Sequence, residues 1–94
     1  MASATFNGTV IAQSDDIEIV EGNAYFPVES LDKQYVLHSD HSTHCPWKGD
    51  ASYWDVEVGD ERAANAAWYY PTAKEGAEAV ANRVAFYPAV AVDR

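Results

Sequence analysis

The residues best suited to nucleophilic, acid–base or metal chemistry are concentrated in residues 38–50. This segment holds all three histidines and the only cysteine of the chain. Cys45 lies next to His44 and three residues before Lys48. A neighbouring cation favours the thiolate form of a cysteine, which is the nucleophilic form. This spacing therefore suits a reactive thiol, with His44 as base and Lys48 stabilising an anion.

Other interpretations of this segment stay open. A free cysteine is most often a small buried apolar side chain, and no C-x-x-C pair is present to form a dithiol couple. A catalytic triad can be assembled on paper from Cys45, a histidine and either Asp40 or Asp50, but a triad is defined by geometry rather than by proximity in sequence. Cys45 alone therefore does not decide whether the protein is an enzyme.

The same segment raises the question of a metal ion. Zinc accepts imidazole and thiolate ligands, and four such groups lie within eight positions, namely His38, His41, His44 and Cys45. The spacing is poor, because two of the four are adjacent and no second ligand pair follows. We predict no metal and no cofactor.

Aromatic residues, 13% of the chain, are its second unusual feature. Most aromatic side chains in a small domain form its core, but they can also line a cleft in which a few polar groups orient a small ligand. The residues that we predict to line such a cleft are Cys45, Trp47, Lys48, Tyr53, Trp54, Trp68 and Tyr70. Tyr53 and Trp54 are neighbours in a predicted strand, so they point to opposite faces and only one can line a given cleft.

Short strands separated by turns must position these residues. Asn7-Gly8 between two apolar runs predicts a tight hairpin turn, and Gly22-Asn23 predicts another turn. Residues 51–70 predict a hairpin, because Trp54, Val56 and Val58 alternate with Tyr53, Asp55 and Glu57 before the turn at 59–60.

Two further segments complete the prediction. Residues 38–50 have no hydrophobic period and predict an irregular loop. Thr72 and Glu75 have the spacing of a capping box, and apolar residues then repeat at helical intervals, which predicts a short α-helix near 73–82. The chain is thus expected to be one domain, residues 1–94, mainly β with one short α-helix.

The charge balance limits the choice of partners. Fifteen acidic residues against six basic ones give a formal net charge of −9, whereas proteins that bind a phosphate backbone need clustered basic side chains. We expect no nucleic-acid partner and no membrane partner. Residues 1–7 lack the features of a signal peptide, so we expect a cytoplasmic protein, and a homodimer is left open.

The longest motif runs from Thr43 to Trp54, with the pattern T-x-C-P-[WY]-K-G-x-A-x-Y. Together with residues 65–71 and 84–87 it resembles the family known as domain of unknown function 427. The resemblance implies a β-tent-like fold, in which two antiparallel sheets pack at an angle. Many β-tent proteins hold a zinc ion between two C-x-x-C knuckles, and this chain departs from them by having one cysteine.

Three functions follow as hypotheses. The first is binding of a small molecule in an aromatic-lined cleft beside residues 45–49, because the segment from Cys45 to Trp54 is expected to lie near Trp68 and Tyr70. The resemblance supports it by analogy, since the β-tent domain of cereblon binds its ligand in a cage of tryptophans. The second is a thiol-dependent enzyme or redox sensor centred on Cys45. The third is an acidic protein-interaction module.

Overall fold

The computed structural model describes all 94 residues and contains nine β-strands. In chain order the strands are β1 (Ala2–Phe6), β2 (Thr9–Ser14), β3 (Glu18–Val20), β4 (Asn23–Pro27), β5 (Val36–Cys45), β6 (Gly49–Val58), β7 (Glu61–Tyr69), β8 (Arg83–Phe86) and β9 (Ala91–Asp93). Three 3₁₀ turns occupy Val28–Ser30, Lys33–Tyr35 and Glu78–Val80. No helix is long and apolar enough to cross a bilayer.

The strands form two antiparallel sheets. The smaller sheet has three strands in the order β2-β1-β9, and the larger has six in the order β3-β4-β8-β7-β6-β5. The prediction of a mainly β fold with two antiparallel sheets is therefore confirmed.

The predicted α-helix over 73–82 is wrong. Only the single 3₁₀ turn Glu78–Val80 forms there. Gly76 has a φ of +91°, which a right-handed helix does not allow. The apolar spacing has another cause, because Ala77 and Val80 are buried against the larger sheet.

The predicted loop over 38–50 is also wrong. Most of it continues β5 and opens β6, and the two strands pair from Val36↔Val56 to Cys45↔Gly49 with only residues 46–48 between them. β5 is an edge strand, and most of its residues are exposed. Main-chain hydrogen bonds hold such a strand without a buried side-chain face, so its sequence shows no hydrophobic period.

Two clusters of buried side chains pack on opposite faces of the larger sheet. The first core combines side chains of both sheets, such as Ile11 and Val84. The second core lies on the other face, between the sheet and residues 71–82, and both contribute to it. Its members are Tyr25, Ala51, Tyr53, Trp68, Tyr70, Ala77, Val80 and Ala85. The predicted alternation in β6 is confirmed, because Trp54, Val56 and Val58 all belong to or pack on the first core.

The tight turns follow from positive φ angles. Asn7 (49°) and Gly8 (77°) form the predicted turn between β1 and β2. The next turn is centred one residue earlier than predicted, because Glu21 (55°) and Gly22 (80°) are its central residues and Asn23 already opens β4. The shift places Glu21 in the turn itself.

Candidate functional site

The seven predicted ligand-binding residues do not share one pocket. Tyr53, Trp68 and Tyr70 belong to the second core, and the half-buried Cys45 packs against them. Trp54 lies on the opposite face, against the first core. The expectation that Tyr53 and Trp54 point to opposite sides is confirmed.

Lys48 is buried at the tip of the β5–β6 hairpin, with 6% of its surface exposed. Its ammonium donates to the carboxylate of Glu21 and lies 5.3 Å from the ring centre of Trp47 and 5.5 Å from that of Tyr70. Burial lowers the pKa of the Lys48 ammonium, but the hydrogen bond to Glu21 and nearby negative charge outweigh it and raise the pKa above its usual range. The charge of Lys48 is thus already neutralised within the protein.

The pair is asymmetric, because the side chain of Glu21 is half exposed. The hydrogen bond from Lys48 lowers the pKa of the Glu21 carboxyl, so the carboxylate is the stable form. An anionic ligand could reach Lys48 only by displacing Glu21. Trp47 itself is 46% exposed and covers one side of the ammonium.

Tyr25, Tyr53, Trp68 and Tyr87 form what we call the aromatic cluster. The indole N–H of Trp68 donates to the hydroxyl of Tyr25 over 3.1 Å, and the two rings meet edge to face. The ring of Tyr87 lies 4.7 Å from that of Trp68 and stacks on Tyr53 at 6.3 Å. The hydrogen bond with Tyr53, together with burial, raises the pKa of Tyr87 to about 12, so its hydroxyl is protonated at neutral pH.

The aromatic cluster opens onto a cleft of about 550 Å³. Strands β4 and β8 pair only at Phe26↔Val84 and Pro27↔Arg83. The cleft occupies the space beyond these pairs, between the start of β4 and the segment after β8. The aromatic residues of its lining are Trp68, Phe86 and Tyr87, and its polar side chains are those of Asn23 and Arg94.

Sequence reasoning missed most residues of this cleft, among them the polar or aromatic side chains of Asn23, Tyr87 and Arg94. Tyr87 belongs to the segment 84–87 that contributes to the family resemblance, and its aromatic ring was the available signal. No local pattern could show that β4 and β8 are neighbours, because Pro27 and Arg83 lie 56 positions apart in the chain. Of the seven predicted residues, only Trp68 lines the cleft.

His44 and Cys45 are adjacent in β5 but contact different surroundings. His44 Nδ1 lies 2.7 Å from Asp50 Oδ1, on the strand opposite, whereas Cys45 packs against the second core. Successive side chains of a strand point to opposite faces, so the structure does not bring the imidazole to the thiol.

The other two histidines are also exposed members of β5. His41 packs its ring against Tyr53, with 4.6 Å between the ring centres, and His38 lies opposite Trp54 in the register. No three His, Cys, Asp or Glu side chains converge where they could hold a metal ion.

The comparisons with known proteins identify a family for nearly the whole chain. A family model described as "Domain of unknown function (DUF427)" matches residues 2–94. No curated protein matches the chain. The family is thus supported over nearly the whole sequence, and the match specifies no ligand.

Proposed function

We propose that this chain, which belongs to the family of the domain of unknown function 427, binds a small molecule in the cleft between β4 and β8. The observation that carries the proposal is Tyr87, which is 45% exposed although its ring packs against the buried ring of Trp68. A tyrosine anchored in this way offers a fixed aromatic surface to a ligand. The volume of the cleft is within the range of ligand pockets, ~300–1,000 Å³.

The polar groups of the cleft indicate the chemistry of the ligand. The indole N–H of Trp68 is taken by Tyr25, so Trp68 offers only apolar surface. Arg94 donates one N–H to the carbonyl of Gly22 over 2.6 Å and keeps further donors, because a guanidinium carries five. We therefore expect a ligand with an apolar or planar body and a carbonyl or carboxylate acceptor.

In this proposal Lys48 has a positioning role. Its partner Glu21 precedes Gly22 and Asn23, which line the cleft. The ion pair therefore holds one wall of the cleft against the hairpin tip, and the ligand does not touch Lys48. The proposed site therefore does not include residues 45–49. This loop instead stabilises one wall of the cleft through the ion pair of Lys48 with Glu21.

The three tryptophans allow the binding site to be located directly. Trp68 lines the cleft, Trp47 lies at the hairpin tip and Trp54 lies on the other face. In a ¹⁵N-labelled sample each gives one indole N–H signal. We would screen carbonyl- and carboxylate-bearing compounds and record which of the three signals moves.

We expect a bound compound to shift the Trp68 signal, and Tyr87→Ala to weaken binding about tenfold, the upper end of what one aromatic pair contributes. Trp47→Ala is the matched control, because Trp47 is a similarly exposed aromatic residue outside the cleft. Both variants are checked for an unchanged fold by their remaining amide signals. The proposal fails if no compound shifts Trp68, or if Trp47→Ala weakens binding and Tyr87→Ala does not.

A further inference from the structure

A second cavity, of about 270 Å³, lies on the face of the larger sheet that carries Trp54. Its lining includes Val28, Lys33, Trp54, Tyr69, Asn82 and Arg83. None of its lining residues belongs to the cleft described above. It is therefore a separate site, and the function proposed for the cleft does not use it.

A stacked pair of rings forms one wall of this cavity. Trp54 of β6 lies opposite Ala67 of β7, and Tyr69 stands two residues further along β7. Diagonal neighbours of this kind are within reach of aromatic side chains. The rings stack with 4.2 Å between their centres and 20° between their planes, and both side chains are only half buried. The stacking fixes the two rings against each other at the edge of the first core, where both line the cavity.

Two of the six basic residues of the chain, Lys33 and Arg83, lie in the same lining. Arg83 is held by Asp16, to whose backbone oxygen it donates over 2.8 Å and whose carboxylate it reaches at 3.1 Å. Lys33 differs, because the only hydrogen bond of its ammonium goes to the carbonyl of Val28, over 3.1 Å, and the ammonium joins none of the ion pairs. An ammonium has three donors, so Lys33 keeps two for a ligand.

We propose that this cavity binds a planar aromatic acid, with its ring against Trp54 and Tyr69 and its carboxylate at Lys33. Contact with Trp54 and Tyr69 orients the ring of the ligand, because aromatic pairs prefer offset-stacked or edge-to-face arrangements. The free ammonium selects the anion in a protein whose net charge of −9 otherwise repels it. The small volume favours an acid of one ring or two fused rings.

The test compares indole-3-carboxylate with indole-3-carboxamide, which has the same ring and no charge. Each is titrated into the ¹⁵N-labelled protein, and the indole N–H signal of Trp54 is followed. We expect the carboxylate to shift this signal and to bind about fivefold more tightly than the amide, the size expected for one partly exposed ion pair.

Lys33→Gln should abolish the preference for the acid. Lys74→Gln is the matched control, because this substitution removes the same charge. Lys74 is also an exposed lysine whose ammonium donates one hydrogen bond to a backbone carbonyl, that of Pro46. The proposal is overturned if the Trp54 signal stays still, if acid and amide bind equally, or if Lys74→Gln has the effect expected of Lys33→Gln. A shift of Trp68 alone would support the cleft and reject this second site.

Discussion

The ammonium of Lys48 and the carboxylate of Glu21 form an ion pair that joins the tip of the β5–β6 hairpin to the turn between β3 and β4, 27 residues earlier in the chain. The two ends of the pair differ in exposure, because 8% of the Lys48 side chain and 52% of the Glu21 side chain are accessible. Removing one partner therefore does not have the same effect as removing the other.

We predict that Glu21→Gln destabilises the fold more than Lys48→Met. Glu21→Gln leaves the ammonium of Lys48 buried without an anion, which is costly. Lys48→Met keeps the apolar volume and returns Glu21 to water, so its unfolding free energy should stay within about 1 kcal/mol of the wild-type value. Urea denaturation at pH 7 measures both, with Glu18→Gln on exposed β3 as control. The reverse order would mean that packing of the lysine stem, not its charge, holds the hairpin tip.

Asp55 should make the stability of the fold sensitive to acid. It accepts hydrogen bonds from Arg62 Nη2 at 2.5 Å and from the backbone N–H of Asn65 at 2.8 Å, and these lower the pKa of its carboxyl. A carboxyl with a lowered folded pKa contributes stability above its unfolded pKa of ~3.9, and that stability is lost as the pH falls through the folded value.

We therefore expect Asp55→Asn to cost about 1.5–3 kcal/mol at pH 7, the value of hydrogen bonds to a charged group, and to flatten the fall of stability below pH 4. Glu57→Gln is the control on the same strand, since its carboxylate is 46% exposed and lies 3.9 Å from Arg62; it should cost less than about 0.5 kcal/mol. Equal losses for the two variants, measured by urea denaturation from pH 2.5 to 7, would contradict this assignment.

Local patterns predicted the parts of the fold that local physics determines. Asn7-Gly8 formed its turn because both residues tolerate positive φ, and the strand around Trp54 and Val56 was visible because one face is buried and the other is not. β5 was missed for the opposite reason: an edge strand exposed along most of its length carries no such signal.

The candidate sites depended on contacts that no local pattern encodes. Trp54 and Trp68 were both predicted as ligand-binding residues, but the antiparallel register places them on opposite faces and in two different cavities. The sequence indicates Lys48 by its charge, and only the fold pairs that charge with Glu21. Tyr87 lines the cleft because β4 and β8 stop pairing after two residue pairs. That pairing depends on the long-range order of the strands.

Gly49 is predicted to be the glycine least tolerant of substitution. It opens β6 with a φ of +119°, and a Cβ there would lie 2.9 Å from the backbone oxygen of Thr72. Strain and overlap add, so Gly49→Ala should cost about 2–4 kcal/mol. Gly76→Ala separates the two effects, because Gly76 also has a positive φ but no atom within 4 Å of the added Cβ; it should cost about 1–2 kcal/mol. Thermal unfolding of both variants checks the difference, and equal losses would show that the contact with Thr72 is relieved by movement of the backbone.

The alternative of a thiol-dependent activity can be tested at Cys45 and His44. The thiol is half-buried against the second core, and the imidazole is bound to Asp50 on the other side of the strand. We expect iodoacetamide to label Cys45 more slowly in the native protein than in urea, because burial limits access. We also expect His44→Gln to leave the native labelling rate unchanged, since the two side chains do not meet.

The pH dependence of the labelling rate, measured by intact mass, distinguishes a packed thiol from one that His44 activates. Cys45→Ser gives the background, and Asp50→Asn frees the imidazole without removing it. A native rate that exceeds the rate in urea at neutral pH, and that drops in His44→Gln, would mean that the imidazole reaches the thiol in solution. That result would restore Cys45 as a nucleophile with His44 as its base. Slow labelling that neither His44→Gln nor Asp50→Asn changes would assign Cys45 a packing role. Its thiol would then be part of the second core, against which it packs.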